Sequence, residues 1–168
     1  MNFEFCEDDD NYFSPEFKIG DKIDNQKYNA SLNRCQSINY SYLQLDNTTR
    51  YHFTQTCFDN EDAIAYFKFM KSLSTNEFLK LVDNKKNEWH LNRTLYRGNF
   101  KNLFDEVFGN KKAMKEENLP NFYHFALYTS KGMANRENGT KSPRIYFFIG
   151  DNATIYPLFY DPYHEINP

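Results

Sequence analysis

Near its carboxyl end the chain places a phenol, an imidazole and a carboxylate in consecutive positions, Tyr163-His164-Glu165. His124 lies inside an apolar run, "NFYHFALYT", and Arg144 opens another, "RIYFFI". Lys131, Arg136 and Lys141 lie between them. Such groups suit acid–base chemistry on a phosphate. Cleavage of RNA by its own 2′-hydroxyl needs a base for the 2′ proton, an acid for the leaving 5′ oxygen and a cation for the phosphate. The catalytic candidates are therefore His164, Tyr163, His124 and Glu165. The candidates for binding phosphate or RNA are Arg144, Lys141, Arg136 and Lys131. His164 is foremost, because it follows the last strand, where side chains are free to reach a ligand.

Each of these residues also has a structural role open to it. His124 could hydrogen-bond across a sheet. Arg144 could pair with Asp161 or Glu165. Tyr160 and Tyr163 could cap the edge of a core. "DPYHEI" could be a turn that seals the end of the sheet, with Ile166 tucked back as an anchor. His52, His90, His124 and His164 are scattered, and Tyr163-His164-Glu165 lacks a second His at helical spacing, so no metal site is expected. The phosphate-loop, dinucleotide-binding, nucleophile-elbow and zinc-protease signatures do not occur, and no cofactor is expected. Cys6, Cys35 and Cys57 are an odd set without C-x-x-C spacing, which argues against a disulfide framework.

The elements that must position these groups follow from changes in period. "INYSYLQL" and "RYHFTQTCF", joined by the turn cluster "DNTT", read as an antiparallel hairpin over residues 37–58. "DNEDAIAYFKFMKSL" starts at Asp59, a good N-cap, and puts Ala63, Ile64, Phe67, Met70 and Lys71 on one helical face. "STNEFLKLVDNKK" opens with Ser74 and Glu77, a capping box. "NFKNLFDEVFGN" is capped by Asn99 and stops at Gly109. The period then returns to two in "NFYHFALYT", in Arg144–Ile149 and in Thr154–Tyr160, the last two joined by "GDNA". Pro157 makes the last strand an edge or a bulged one. The order β-β-α-α-α-β-β-β predicts an α+β fold: an antiparallel sheet of about five strands with about three helices on one face. Residues 1–36 read as a loop-rich acidic arm and 37–168 as one domain.

At 168 residues the chain can bury a sizeable core, and 17 Phe with 13 Tyr make aromatic rings its main material. A net charge of −3 excludes a chain that binds nucleic acid by bulk charge alone. The charge is uneven, however, with acids crowded over residues 4–24 and cations over 131–144. No run approaches the roughly 20 apolar residues of a membrane span, so a cytoplasmic setting and no membrane partner are expected.

A helical pair followed by three antiparallel strands, with "RIYFFI" and a final strand ending near a His, resembles the RelE/ParE superfamily of toxin modules. The likeness covers roughly residues 59–166. It implies a metal-free RNA endonuclease or a degenerate relative, with Arg144 on the phosphate and Tyr163 or His164 as terminal acid or base. RNA and a cognate antitoxin would be the partners. The chain is longer and more acidic than such toxins, and it carries an extra amino-terminal arm and hairpin. The other reading is a non-enzymatic, protein-binding accessory or defence-related factor of a mobile element, acting through an acidic and aromatic surface.

Overall fold

The computed structural model describes residues 17–82, 89–109, 118–128, 143–150 and 152–168. The fold is α+β, with a mostly antiparallel five-stranded sheet and several helices. In chain order the elements are α1 (Asn25–Leu32), β1 (Ser37–Ile38), α2 (Asn60–Thr75), α3 (Phe78–Val82), β2 (Asn92–Thr94), α4 (Gly98–Val107), β3 (Asn121–Ala126), β4 (Arg144–Ile149) and β5 (Thr154–Asp161). The sheet order is β1-β5-β4-β3-β2, with β1 parallel to β5 and every other pair antiparallel.

The centre of the sheet is buried on both faces. Residues Ile145–Ile149 of β4 and all of β5 are buried. Strands with no wet face must be covered twice, and the helices divide accordingly. Phe69 of α2 stacks on Phe125 at 3.6 Å, and Phe78 of α3 meets Tyr123 at 4.9 Å, on one face. Phe100 of α4 packs on Phe122, Tyr146 and Phe159 on the other. The layering thus differs from a single helical face, because β3 and β4 alternate aromatic against aromatic and leave α4 an apolar surface of its own.

The expected hairpin over 37–58 is reduced to the two residues of β1. The rest of the segment runs along the flank of β5 through single backbone bonds, Gln44 N to the Leu158 carbonyl and Tyr160 N to the Tyr51 carbonyl. Its aromatics pack inward, with Tyr42 on Phe148 and Phe53 on Tyr160. β5 is therefore not an edge. Pro157 pairs with Phe147 beside a register shift, the bulge that a residue without an N–H requires. Within residues 17–36, Asp24 caps α1 by accepting from the Gln26 and Lys27 amides, and α1 buries Tyr28, whose hydroxyl meets that of Tyr123 at 3.0 Å.

Helix α2 is capped as expected, Asp59 accepting from the Glu61 and Asp62 amides. Its buried face is Asp62, Ala65, Tyr66, Phe69, Met70 and Leu73, which keeps Met70 of the expected stripe and turns the rest of that stripe away from the core. Ile64 and Phe67 are 56% and 61% exposed. The inward stripe contains an acid, which hid it from a hydrophobic count. Asp62 is fully buried, with Tyr128 and Tyr160 donating their hydroxyls to its two oxygens at 2.7 and 2.6 Å. Ser74 bonds back to the Lys71 carbonyl instead of starting a helix, so α2 continues through Thr75.

Phe69→Ala is expected to lower unfolding free energy by about 3–5 kcal/mol, since it empties a fully buried ring site. Phe67→Ala, on the same helix, should stay within about 0.5 kcal/mol. Urea unfolding of both variants distinguishes this assignment of faces from the reverse one.

Candidate functional site

Register places Asn92, His124, Tyr146 and Phe159 in one row across β2, β3, β4 and β5. The next row holds Ala126, Arg144 and Asp161. Both rows lie on the face that α4 covers, and Phe100 stacks on Tyr146 there. Polar groups collect beyond it, at the carboxyl ends of β3 and β5.

His124 is half-buried, with its Nδ1 2.7 Å from Thr94 Oγ1 on β2 and its ring 5.4 Å from that of Tyr146. Burial, followed by the nearby positive charges of Arg144 and His164, lowers its pKa to about 4. At neutral pH His124 is a neutral imidazole. Burial also lowers the Arg144 pKa, against the opposing influence of Tyr146 and Asp161. The Tyr146 phenol is pushed far up, first by burial and then by Asp161, and the group faces Asn167.

Asp161 shapes the tail. It is fully buried, and its carboxylate accepts from the Glu165 amide at 3.0 Å and the Ile166 amide at 2.8 Å. Burial raises its pKa, and backbone amides, that of Tyr163 included, oppose the rise. An Asp that ends a strand before a proline is suited to this turn. Ile166 is 2% exposed and anchors the far side. Between the two anchors His164 takes φ +57°, a left-handed conformation that non-glycine residues seldom adopt. It is held there by the bonds on either side, the kind of local strain that gathers at functional positions.

The predicted residues separate into three sets. His124 and Arg144 lie at the same end of the sheet, and the charges of Arg144 and His164 act on His124. Tyr163 is exposed beside them, and the exposed Glu165 is engaged with Arg50 at 2.8 Å, which also donates to the Tyr51 hydroxyl at 2.6 Å. Lys131, Arg136 and Lys141 lie outside the described residues. Among the described residues no group of three or more His, Cys, Asp or Glu is placed to hold a metal ion. No described helix is long and apolar enough to cross a membrane. Sequence reasoning missed Thr94, which orients His124 from a three-residue strand with no clear period. The turn at Asp161-Pro162 with Ile166 tucked back was anticipated, but the acceptance of the Glu165 and Ile166 amides by the Asp161 carboxylate was not.

Compared with protein-family models, curated proteins and solved structures, the chain matches none.

The His124 environment makes stability fall in acid. Its pKa is 6.5 when unperturbed and about 4 in the fold. Between those values the unfolded chain binds more protons, so stability rises with pH across the window and is lost as pH drops through it. The loss should be roughly 2 kcal/mol, allowing for partial contact with water. Asp161, with its raised pKa, acts in the opposite sense, its contribution being present at low pH and lost as pH rises. Urea midpoints between pH 7 and pH 4.5 should fall more steeply for wild type than for His124→Gln. Equal slopes would contradict the assignment.

Proposed function

We propose that this chain is a toxin-type module of the RelE/ParE kind that cleaves single-stranded RNA without a metal ion. The observation that carries the reading is that His124 and Arg144 lie in neighbouring rows of one sheet face and that His164 is near enough for its charge to act on His124. Arg144 supplies the charge that a pentacoordinate phosphate requires. With Nδ1 engaged by Thr94, the neutral His124 has Nε2 left to accept the 2′ proton. The 2′ oxygen attacks phosphorus, and the bond to the 5′ oxygen breaks. His164, in its protonated form, donates to that leaving oxygen. The products are a 2′,3′-cyclic phosphate and a 5′-hydroxyl. Tyr163, exposed beside His164, would meet the nucleotide next to the scissile bond.

One observation favours the protein-binding reading. Ile64 and Phe67 stand exposed on α2 and, with Ala63, Lys68 and Lys71, line an open apolar groove. Under that reading Ile64→Gln with Phe67→Gln abolishes partner capture and RNA stays intact.

The test is incubation of purified protein with single-stranded RNA in the presence of a chelator. Wild type should yield cyclic-phosphate ends, and His164→Ala should lower the rate by about 10²-fold or more. Expression of wild type should arrest growth and degrade messenger RNA, and expression of His164→Ala should do neither. Intact RNA with wild type in both settings would overturn the proposal.

A further inference from the structure

A second site lies at the opposite end of β3. A cleft of about 540 Å³ opens between β2, the start of α4 and the residues that lead into β3. The volume falls within the range of small-molecule sites. Among the described residues, three cations line it, Arg93, Arg97 and Lys101, and no acidic side chain does.

Two of the cations are held in place. Arg93 donates to Asn121 Oδ1 at 2.7 Å, which fixes its guanidinium at the rim. Lys101 is bridged to Asp105 at 2.5 Å and sits 5.3 Å from the centre of the Tyr96 ring. Tyr96 donates its hydroxyl to the same Asp105 and stacks on Phe122, so the wall is rigid. Asp105 thus offsets Lys101 from behind, and Arg93 and Arg97 face solvent. Arg97 stands at the N-cap position of α4 and makes no capping bond, so the positive end of the helix dipole adds to the same potential. Planar guanidinium groups that are not consumed by internal ion pairs suit the tetrahedral oxygens of a phosphate.

We infer that this cleft binds a phosphate-bearing ligand through Arg93 and Arg97, with Lys101 as a third contact. The cleft shares Thr94 with the His124 cluster, but its cations are separate from that cluster and the inference does not depend on the cleavage proposed there. Phosphate could reach it as a free nucleotide or as part of an RNA strand that continues past the β2 edge.

The experiment is calorimetric titration of the full chain with inorganic pyrophosphate, uridine 5′-monophosphate and a single-stranded RNA dodecamer. Wild type should bind pyrophosphate saturably, and Arg93→Gln with Arg97→Gln should weaken it about ten-fold or more. His164→Ala should bind like wild type, which separates this site from the other. Both substitutions in the double variant are at exposed positions, and an unchanged urea midpoint would confirm that its fold is intact. Mononucleotide binding as tight as that of the dodecamer would identify a free nucleotide as the ligand, and much tighter binding of the dodecamer would identify a strand. Absence of saturable binding by all three probes, or equal binding by the folded double variant, would overturn the inference.

Discussion

Tyr146, Phe147 and Phe148 on β4, with Tyr156, Leu158 and Phe159 on β5, are shut off from water. Much else follows from strands that have no wet face. Helices must cover both sides, which sends α2 and α3 to one and α4 to the other. Polar groups on such strands can reach water only at the ends. Arg144 begins β4 and Asp161 ends β5, and the antiparallel register makes them cross-strand neighbours. A buried sheet thus concentrates its chemistry at one end by exclusion. Asp62 of α2 is also buried, and it is tolerated because two tyrosine hydroxyls are directed at it.

The same exclusion of water sets the electrostatics of the site. His124 cannot readily carry charge beside Arg144 and His164 in a dry setting, so it stays neutral where an exposed histidine would begin to titrate. Asp161 balances this positive end and, through the Glu165 and Ile166 amides it accepts, turns the tail that carries His164. Packing, charge and backbone geometry therefore meet in one short turn. The cationic cleft beyond β2 follows a different rule, with its charges on the solvent side of an edge strand.

Legibility in the sequence tracked how far local pattern and burial coincided. The three carboxyl-terminal strands were readable because alternation and turn chemistry agree at Gly150–Ala153 and at Asp161-Pro162. Asp59 announced α2, but its face was misread. Ile64, Phe67 and Lys71 keep helical spacing, yet the larger rings of Tyr66 and Phe69 win the core and bring Asp62 with them. The segment 37–58 has the composition of a hairpin, and its aromatics instead seal the flank of β5, a tertiary outcome that no local pattern encodes. Arg144 and His164 were legible as candidates from their positions at strand ends. Thr94 was not, because its role exists only through its approach to His124.

The most direct test of the account is a nuclear magnetic resonance titration of the His124 and His164 imidazoles, with and without inorganic phosphate. The account predicts that His124 titrates near pH 4 and that phosphate shifts its resonances and raises its pKa, as an anion beside Arg144 must. Titration of His124 near its ordinary value of 6.5, with neither imidazole responding to phosphate, would contradict it.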